Sequence, residues 1–277
     1  MFQYQNLIYE ILRDGEDRKD RTGVGTRAIF NKHLSFRMDE GLFPLVTLKR
    51  TLYKGPLGEL AGFVRGTTDE RVLSKFGCNY WQYNLNADYW ATNQYKRFDT
   101  DLGKLGYSYH LRNFNGVDQL RTVLDKAKSN PTDRRLLVSH WHPAELHEAV
   151  LPPCHYSWQI FIHGIDMEYV SLLWNQRSVD VMLGLPADFV YYGGLLVAIA
   201  HELGKTPYEV SCNLGDTHIY HNHFDTALEL AHDGKVYPAP AYNFVAPIGQ
   251  QVEDFIPTQL EILDYESGPF YKLKMAV

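Results

Sequence analysis

The helices and strands predicted along this chain follow no regular strand–helix–strand alternation, which favours an α+β fold over a doubly wound sheet. Apolar residues at helical spacing predict helices, and alternating or continuous apolar runs predict strands. No repeat, low-complexity tract or linker divides the 277 residues, so we expect one domain over residues 1–277. The predicted helices are residues 2–14, 56–65, 117–129 and 191–203, and the predicted strands are residues 26–36, 136–141, 158–162 and 168–174.

The composition excludes several classes of protein. The formal net charge of −6, from 27 Lys and Arg against 33 Asp and Glu, argues against a nucleic-acid-binding surface but leaves room for a small phosphorylated ligand. Three cysteines form neither a disulfide framework nor a zinc motif. The first residues do not resemble a signal peptide, and no apolar run reaches the ~18 residues of a membrane span. We therefore expect a cytoplasmic protein without a membrane segment.

Cys154 is a candidate nucleophile. It follows Pro152 and Pro153, which fix two φ angles, and it precedes His155. A neighbouring imidazole or arginine would favour the thiolate, the form of cysteine that attacks carbon. The alternative is that Cys154 is a small buried apolar residue, which is the usual state of a cysteine.

Four arginines indicate an anion site. Arg21 lies in a Gly-rich turn, Arg134 and Arg135 follow Asp133, and Arg177 precedes Ser178. Guanidinium groups bind phosphate through forked donors, and a hydroxyl can assist them. Ion pairing at the surface is the alternative for any one of these arginines.

Residues 215–223 contain three histidines, but their spacing fits neither a metallohydrolase helix nor a zinc finger, and we expect no metal. His218 and Tyr220 are two residues apart and would share one face of a strand. That placement suits hydrogen bonds to a sugar hydroxyl.

Several ordered motifs make the chain resemble the thymidylate synthase family, whose members add a one-carbon unit from methylenetetrahydrofolate to C5 of a pyrimidine nucleotide. The resemblance covers nearly the whole chain and implies a thymidylate synthase-like fold, in which helices surround a mixed β-sheet and a sheet face forms a dimer interface. It further implies a role in nucleotide biosynthesis. The motifs are residues 20–26 (DRTGVGT), 43–50 (FPLVTLKR), 58–60 (GEL), 134–135 (RR), 152–155 (PPCH), 176–180 (QRSVD), 215–220 (GDTHIY) and 274–277 (KMAV).

The resemblance implies a role for each matched residue. Cys154 would add to C6 of the pyrimidine, and Glu59 would manage protons at the base and at ordered water. Tyr107 would be the active-site tyrosine, although residues 105–108 read LGYS where the family usually has PVYG. Substrate contacts would come from Arg21, Arg134, Arg135, His155, Gln176, Arg177, Ser178, Asp188, His218 and Tyr220, and folate contacts from Lys49, Trp81, Asp180, Gly184 and Val277. Arg134 and Arg135 would reach the site of a second subunit, which implies an obligate homodimer.

Asp188 departs from the family, in which this position is an asparagine whose amide pairs with uracil. A carboxylate accepts a hydrogen bond from the amino group of cytosine, but it faces the O4 lone pairs of uracil without a donor. An unpaired buried group costs about 1–3 kcal/mol, enough to reverse a preference. Asp188 therefore predicts a catalytic site for dCMP. A reorganised pocket with Asp188 paired elsewhere is the alternative.

Two further segments resemble the deoxycytidylate hydroxymethylase branch. They are residues 189–192 (FVYY) and 80–84 (YWQYN), where Asn84 replaces a second tryptophan of the synthases. Less bulk beside the folate would admit water and favour a hydroxymethyl product over a methyl product. Trp81 and the synthase-like C-terminus favour methylation instead. The sequence thus predicts conversion of dCMP to 5-hydroxymethyl-dCMP with methylenetetrahydrofolate; dCMP methylation or thymidylate synthesis from dUMP are the alternatives.

Overall fold

The computed structural model describes residues 2–276, whose main element is a six-stranded mixed sheet. All neighbouring strands are antiparallel except β5 and β6, which are parallel. In spatial order the strands are β1 (Glu16–Arg18), β2 (Thr26–Arg37), β6 (Thr206–Tyr220), β5 (Tyr169–Asp180), β4 (His155–His163) and β3 (Leu137–Ser139). A separate hairpin pairs β7 (Ala241–Phe244) with β8 (Leu260–Leu263).

Eight α-helices accompany the sheet within residues 2–276, so the predicted α+β class is confirmed. A π-helical turn, Gly106–His110, lies between the fifth and sixth helices. The helices are α1 (Phe2–Asp14), α2 (Lys54–Phe63), α3 (Glu70–Lys75), α4 (Trp81–Leu85), α5 (Asp88–Ala91), α6 (Gln119–Ser129), α7 (Gly184–Leu203) and α8 (Phe224–His232).

Helix α7 is the centre of the core because it is apolar on nearly all sides and so must be buried all round. Gly193 and Gly194 allow its close packing. A Cβ on Gly193 would lie 2.6 Å from the Pro44 ring, and one on Gly194 would lie 2.9 Å from the Leu57 side chain. Helix α7 thus passes against α2, which carries Glu59.

The strand order brings the predicted site residues to one edge of the sheet. The carboxyl ends of the parallel strands β5 and β6 meet there, with Ser178 paired to Asp216 and Asp180 to His218. The antiparallel strands β4 and β2 begin at the same edge. The loops before these strands, which carry Cys154 and Arg21, therefore lie beside the ends of β5 and β6.

Several predicted boundaries were wrong. Helix α7 begins seven residues before the predicted residue 191, because Pro186 is tolerated in a first turn, where its missing N–H needs no partner. Strand β5 continues from the predicted residue 174 to Asp180, since its polar end pairs with β6. Strand β3 is shorter than residues 136–141, and strand β4 is longer than residues 158–162.

The sheet face opposite α7 carries a ladder of polar side chains across four strands. His33, Asn213, Asn175 and Ser157 are joined by hydrogen bonds of 3.0 Å each. Phe161 of β4 is 65% exposed. In a single chain this face meets solvent.

Among residues 2–276, no helix is both long and apolar enough to cross a membrane. The same residues contain no group of three His, Cys, Asp or Glu side chains arranged to hold a metal ion.

Candidate active site

Cys154 lies at the entry to β4 and is held from two sides. Its backbone N–H donates a hydrogen bond to the Tyr107 hydroxyl at 2.5 Å, and its carbonyl accepts from the Arg177 N–H at 2.9 Å. Burial raises the pKa of the Cys154 thiol, while the positive charges of Arg177 and Arg21 act in the opposite direction. The thiol therefore depends on these two arginines to ionise.

Arg177 is fixed beside the thiol by the two prolines. Its Nε donates to the Pro153 carbonyl at 2.9 Å, and its Nη2 donates to the Pro152 carbonyl at 3.1 Å. Nη2 then lies 4.0 Å from Sγ of Cys154. The guanidinium also covers the Trp141 ring, 5.5 Å from its centroid. The close approach of β6 at this point requires Gly215, because a Cβ there would lie 2.7 Å from the Arg177 carbonyl.

Glu59 is a half-buried carboxyl on α2. Burial raises its pKa to about 7, against the effect of the Trp81 indole N–H, which donates to Oε1 at 2.6 Å. A carboxyl group with a pKa near the working pH can both accept and release a proton, which suits general acid–base catalysis.

Aromatic rings connect Glu59 with Cys154. Phe63, one turn along α2, stacks on Tyr107 with the ring centroids 5.6 Å apart, and Tyr107 lies 4.7 Å from the His155 ring. Tyr107 belongs to the π-helical turn, a type of turn that is frequent at functional sites. The charges of Cys154, Asp188 and Glu59 all act on the Tyr107 phenol, whose pKa is raised mainly by burial. These three groups therefore surround one ring.

Asp188 lies on the second turn of α7 and has two partners. His155 Nε2 is 3.0 Å from Oδ1, and Gln176 Nε2 is 2.9 Å from Oδ2. Both carboxylate oxygens are therefore paired, and both partners are residues that the resemblance assigns to substrate binding.

The residues predicted to contact the sugar and the phosphate occupy the edge next to Cys154. His218 Nδ1 is 2.9 Å from Asp216, and Asp216 is also paired with Arg18 at 2.7 Å. Burial raises the pKa of Tyr220 to about 12, with further effects of the charges of Arg21 and Cys154. Tyr220, Arg21 and Cys154 therefore lie within electrostatic reach of each other.

The residues that the resemblance matches to folate binding lie in different parts of the structure, and Trp81 is the one that contacts Glu59. Asp180 Oδ1 accepts from the N–H groups of Met182 and Leu183, at 2.9 and 3.2 Å, at the start of α7, where Gly184 lies. The Lys49 side chain is buried, and burial lowers its pKa to about 8 against the charge of Asp180. Val277 lies outside the described residues.

A cavity of about 1000 Å³ opens between α2 and α4. Aromatic rings and cations line it, among them Tyr53, Tyr80, Tyr83, Arg50 and Lys54. Such a lining suits a flat heterocycle joined to carboxylates. The lining therefore fits a folate, although Lys49, Trp81, Asp180 and Gly184, which the resemblance matched to folate binding, do not line this cavity; Trp81 lies between the lining residues Tyr80 and Gln82 in sequence.

Arg134 and Arg135 do not join this cluster within one chain. Leu137 pairs with Gln159 on β4, so Arg135 lies beside the far part of that strand. Seven residues of strand from Cys154 span about 23 Å, at ~3.3 Å a residue. An arginine side chain cannot cover that distance.

Three residues beside the predicted site residues carry no motif that marks them in the sequence: Trp141, Trp174 and Tyr192. Trp174 donates from Nε1 to Gln176 Oε1 at 3.0 Å and stacks on Tyr192, with centroids 4.6 Å apart. The Tyr192 hydroxyl lies 3.2 Å from His155 Nδ1. The spacing of two between Trp174 and Gln176 on a strand is a signal that could have placed them on one face. A half-buried thiol beside a fixed guanidinium, a half-buried carboxyl of pKa about 7 and a cavity lined by aromatic rings and cations are together typical of an enzyme active site.

The family model for thymidylate synthase matches residues 2–277. The chain is 35% identical to the thymidylate synthase of Agaricus bisporus, over 99% of this chain and 98% of that protein. It is 34% identical to the thymidylate synthase of Saccharomyces cerevisiae, over 99% of this chain and 96% of that protein. It is also 34% identical to the bifunctional dihydrofolate reductase-thymidylate synthase of Leishmania major, over 99% of this chain but only 55% of that protein.

The chain therefore belongs to the thymidylate synthase family, as its motifs predicted. It is an enzyme that transfers one-carbon units, and methylenetetrahydrofolate is the donor in this family. The relatives carry the name thymidylate synthase, and none of these names points to the deoxycytidylate hydroxymethylase branch.

Proposed function

We propose that this enzyme transfers a one-carbon unit to C5 of dCMP and releases 5-hydroxymethyl-dCMP. The observation that carries the choice of base is the pairing of Asp188. Gln176 Nε2 is a donor, so the Asp188 oxygen 2.9 Å away from it acts as an acceptor. An ionised Asp188 accordingly offers the base an acceptor and no donor.

A pocket of acceptors discriminates between the two pyrimidines. The C4 amino group of cytosine can donate to Asp188, whereas O4 of uracil would bring its lone pairs against a carboxylate that is already accepting. Sites that hydrogen-bond a substrate group reject an analogue that lacks it, because a buried polar atom is left unpaired. Cytosine is therefore the expected base.

Cys154 and Glu59 supply the covalent and proton-transfer chemistry. A bond from Sγ of Cys154 to C6 places electron density on C5, which then takes up the one-carbon unit supplied by the folate. Release of Sγ from C6 and loss of the C5 proton restore the aromatic ring. Glu59 lies in the same aromatic enclosure and, with a pKa of about 7, can exchange protons with the base and with water.

The hydroxymethyl product forms when water adds to the one-carbon unit carried on C5. dCMP, methylenetetrahydrofolate and water give 5-hydroxymethyl-dCMP and tetrahydrofolate, with no oxidation of the folate. A cavity of about 1000 Å³ lies beside Tyr80 and Tyr83, and Asn84 of the same segment has less bulk than the tryptophan of the synthases, which would admit water near the folate. Glu59 would deprotonate that water as it attacks the exocyclic carbon.

Thymidylate synthesis from dUMP is the second candidate, and the names of the relatives favour it. Sequence identities of 34–35% over almost the whole chain support this candidate as strongly as they support the shared folate chemistry. Only the surroundings of Asp188 and Asn84 favour the cytidylate reaction. A third possibility, methylation of dCMP, would keep the role of Asp188 and change only the fate of the one-carbon unit.

We further propose that the enzyme acts as a homodimer. Arg134 and Arg135 lie too far from Cys154 to complete an anion site in their own chain, and the polar sheet face with Phe161 is open to a second copy. A partner packed on that face could bring its arginines to the phosphate held by Arg21, Arg177 and Ser178.

One incubation tests the reaction. The enzyme is given dCMP, CMP and dUMP in separate reactions with methylenetetrahydrofolate, and the products are identified by mass. We expect dCMP to gain a hydroxymethyl group with no rise in dihydrofolate absorbance. Turnover of dUMP alone would contradict the cytidylate assignment, and a methylated dCMP together with dihydrofolate would contradict the hydroxymethyl product.

A further inference from the structure

Trp174 contacts both arms of the hydrogen-bond chain that surrounds Asp188. On one side, its indole N–H donates to Gln176, whose amide reaches Asp188 Oδ2. On the other side, the indole stacks on Tyr192 at an angle of 8°, and the Tyr192 hydroxyl contacts His155. His155 then reaches Asp188 Oδ1. Trp174 and Tyr192 are fully buried, so no water competes for the hydrogen bonds that these two residues make.

The chemistry of Trp174 sets the direction of these bonds. An indole N–H can only donate, so the Gln176 atom facing it must be the carbonyl oxygen Oε1. The Gln176 amide nitrogen must then point the other way. It lies 3.2 Å from the Ser178 carbonyl, which can only accept, and 2.9 Å from Asp188 Oδ2. Two independent neighbours thus fix one orientation of the amide, and Oδ2 is left with the role of acceptor.

We propose that Trp174 is a positioning residue for base selection: it holds Gln176 in the one orientation that makes Asp188 an acceptor. Trp174 touches neither substrate nor reacting atoms, and it acts through Gln176. This inference rests on the proposed use of cytosine. Without the indole N–H, only the Ser178 carbonyl keeps the Gln176 amide in this orientation, and a flipped amide would present its carbonyl oxygen to Asp188. Asp188 would then hold a proton toward that oxygen, and a neutral carboxyl is a weaker acceptor for the amino group of cytosine.

The test is the ratio of kcat/KM for dCMP to kcat/KM for dUMP in matched tryptophan variants. Trp174→Phe removes the N–H and keeps an aromatic ring against Tyr192. Trp90→Phe is the control, since Trp90 is also fully buried and donates to a backbone carbonyl, that of Asp101, at 2.7 Å, away from the site. We expect the ratio to fall about tenfold in Trp174→Phe, the equivalent of one lost discriminating hydrogen bond, and to stay unchanged in Trp90→Phe.

Gln176→Glu gives a second test in which the indole and its acceptor are kept. A carboxylate in this position would lie against Asp188, and two such groups share a proton, so Asp188 would no longer be only an acceptor. We expect the same direction of change in the ratio. This variant decides the matter if Trp174→Phe does not fold.

The outcomes separate the two proposals. A wild-type enzyme that prefers dUMP would contradict the proposed function itself. A wild-type enzyme that prefers dCMP, with Trp174→Phe or Gln176→Glu slowing both substrates equally, would contradict the positioning role alone. A selective loss of the dCMP preference in the site variants and not in Trp90→Phe would support it.

Discussion

His155 Nε2 lies 3.0 Å from Asp188 Oδ1, and each of the two side chains is only 12% exposed. His155 follows the nucleophile Cys154 in sequence, and Asp188 lies 33 residues further along the chain from His155. This contact joins Asp188, which would bind the base, to the first residue of β4, which directly follows Cys154. A change in the contacts between Asp188 and the base is therefore expected to affect both the choice of pyrimidine and the formation of the bond from Sγ of Cys154 to C6.

Replacing Asp188 should change the preferred base. In Asp188→Asn the side chain gains an amide that can donate to O4 of uracil, while its oxygen can still accept from Gln176. We expect kcat/KM for dCMP to fall by about 10- to 100-fold and kcat/KM for dUMP to rise. Both are measured by the mass of the product. Asp216→Asn is the control, because Asp216 pairs with His218 at the sugar side and should affect both bases equally.

Glu59 should make both activity and stability depend on pH. Its pKa is raised to about 7 from 4.5, so the folded protein holds a proton on it between these values and the unfolded chain does not. The stability that this group contributes is therefore fully present below pH 4.5 and is lost as the pH rises through 7. Glu59→Gln should remove this loss, so that its free energy of unfolding relative to the wild type improves by about 3 kcal/mol between pH 4.5 and pH 8.

Urea unfolding at a series of pH values measures this difference, and Glu16→Gln, at an exposed position of β1, is the control. Glu59→Gln should also lower kcat by about 100-fold or more, since the base that acts on water is lost. In the wild type, a fall of kcat/KM below pH 7 is expected. A stability difference that does not change with pH would contradict the buried state of this carboxyl.

Arg177 should control the reactivity of Cys154. Burial raises the pKa of the thiol and the guanidinium 4.0 Å away opposes that effect, so its removal should raise the pKa further. At pH 8, alkylation of Cys154 by iodoacetamide should be about fivefold slower in Arg177→Gln, because less thiolate is present. Mass spectrometry locates the label, since Cys78 and Cys212 are fully buried. Arg37→Gln, at the opposite end of β2, should react like the wild type, and equal rates in all three proteins would exclude the role of Arg177.

Mixed dimers should reveal the shared arginines. Cys154→Ser and the double variant Arg134→Gln with Arg135→Gln should each be nearly inactive alone. After unfolding and refolding of an equal mixture, half of the dimers are mixed and each holds one complete site, so roughly a quarter of the wild-type activity should return. Recovery would be absent if both arginines served their own chain or if the enzyme acted as a monomer.

The sequence alone indicated which residues carry chemistry and roughly where the helices and strands lie. Cys154 was found through its two prolines, Arg177 through its neighbour Ser178, and α7 through its unbroken apolar run. These signals are local, because they depend on residues next to one another in the chain. The end of β5 was placed wrongly, since its polar residues pair with β6 more than 30 residues away, and the start of α7 was placed wrongly because Pro186 is accommodated in its first turn.

Asp188 was singled out from the sequence because an acid stands where the family has an amide, and that sufficed to predict cytosine. The sequence did not determine what Asp188 contacts. Only the tertiary structure joined it to His155 and Gln176, and joined Gln176 to Trp174, because hydrogen-bond direction depends on which donors and acceptors meet in space. The pKa of Glu59 near 7 was decided in the same way. Burial sets that value, and burial is a property of the packed molecule.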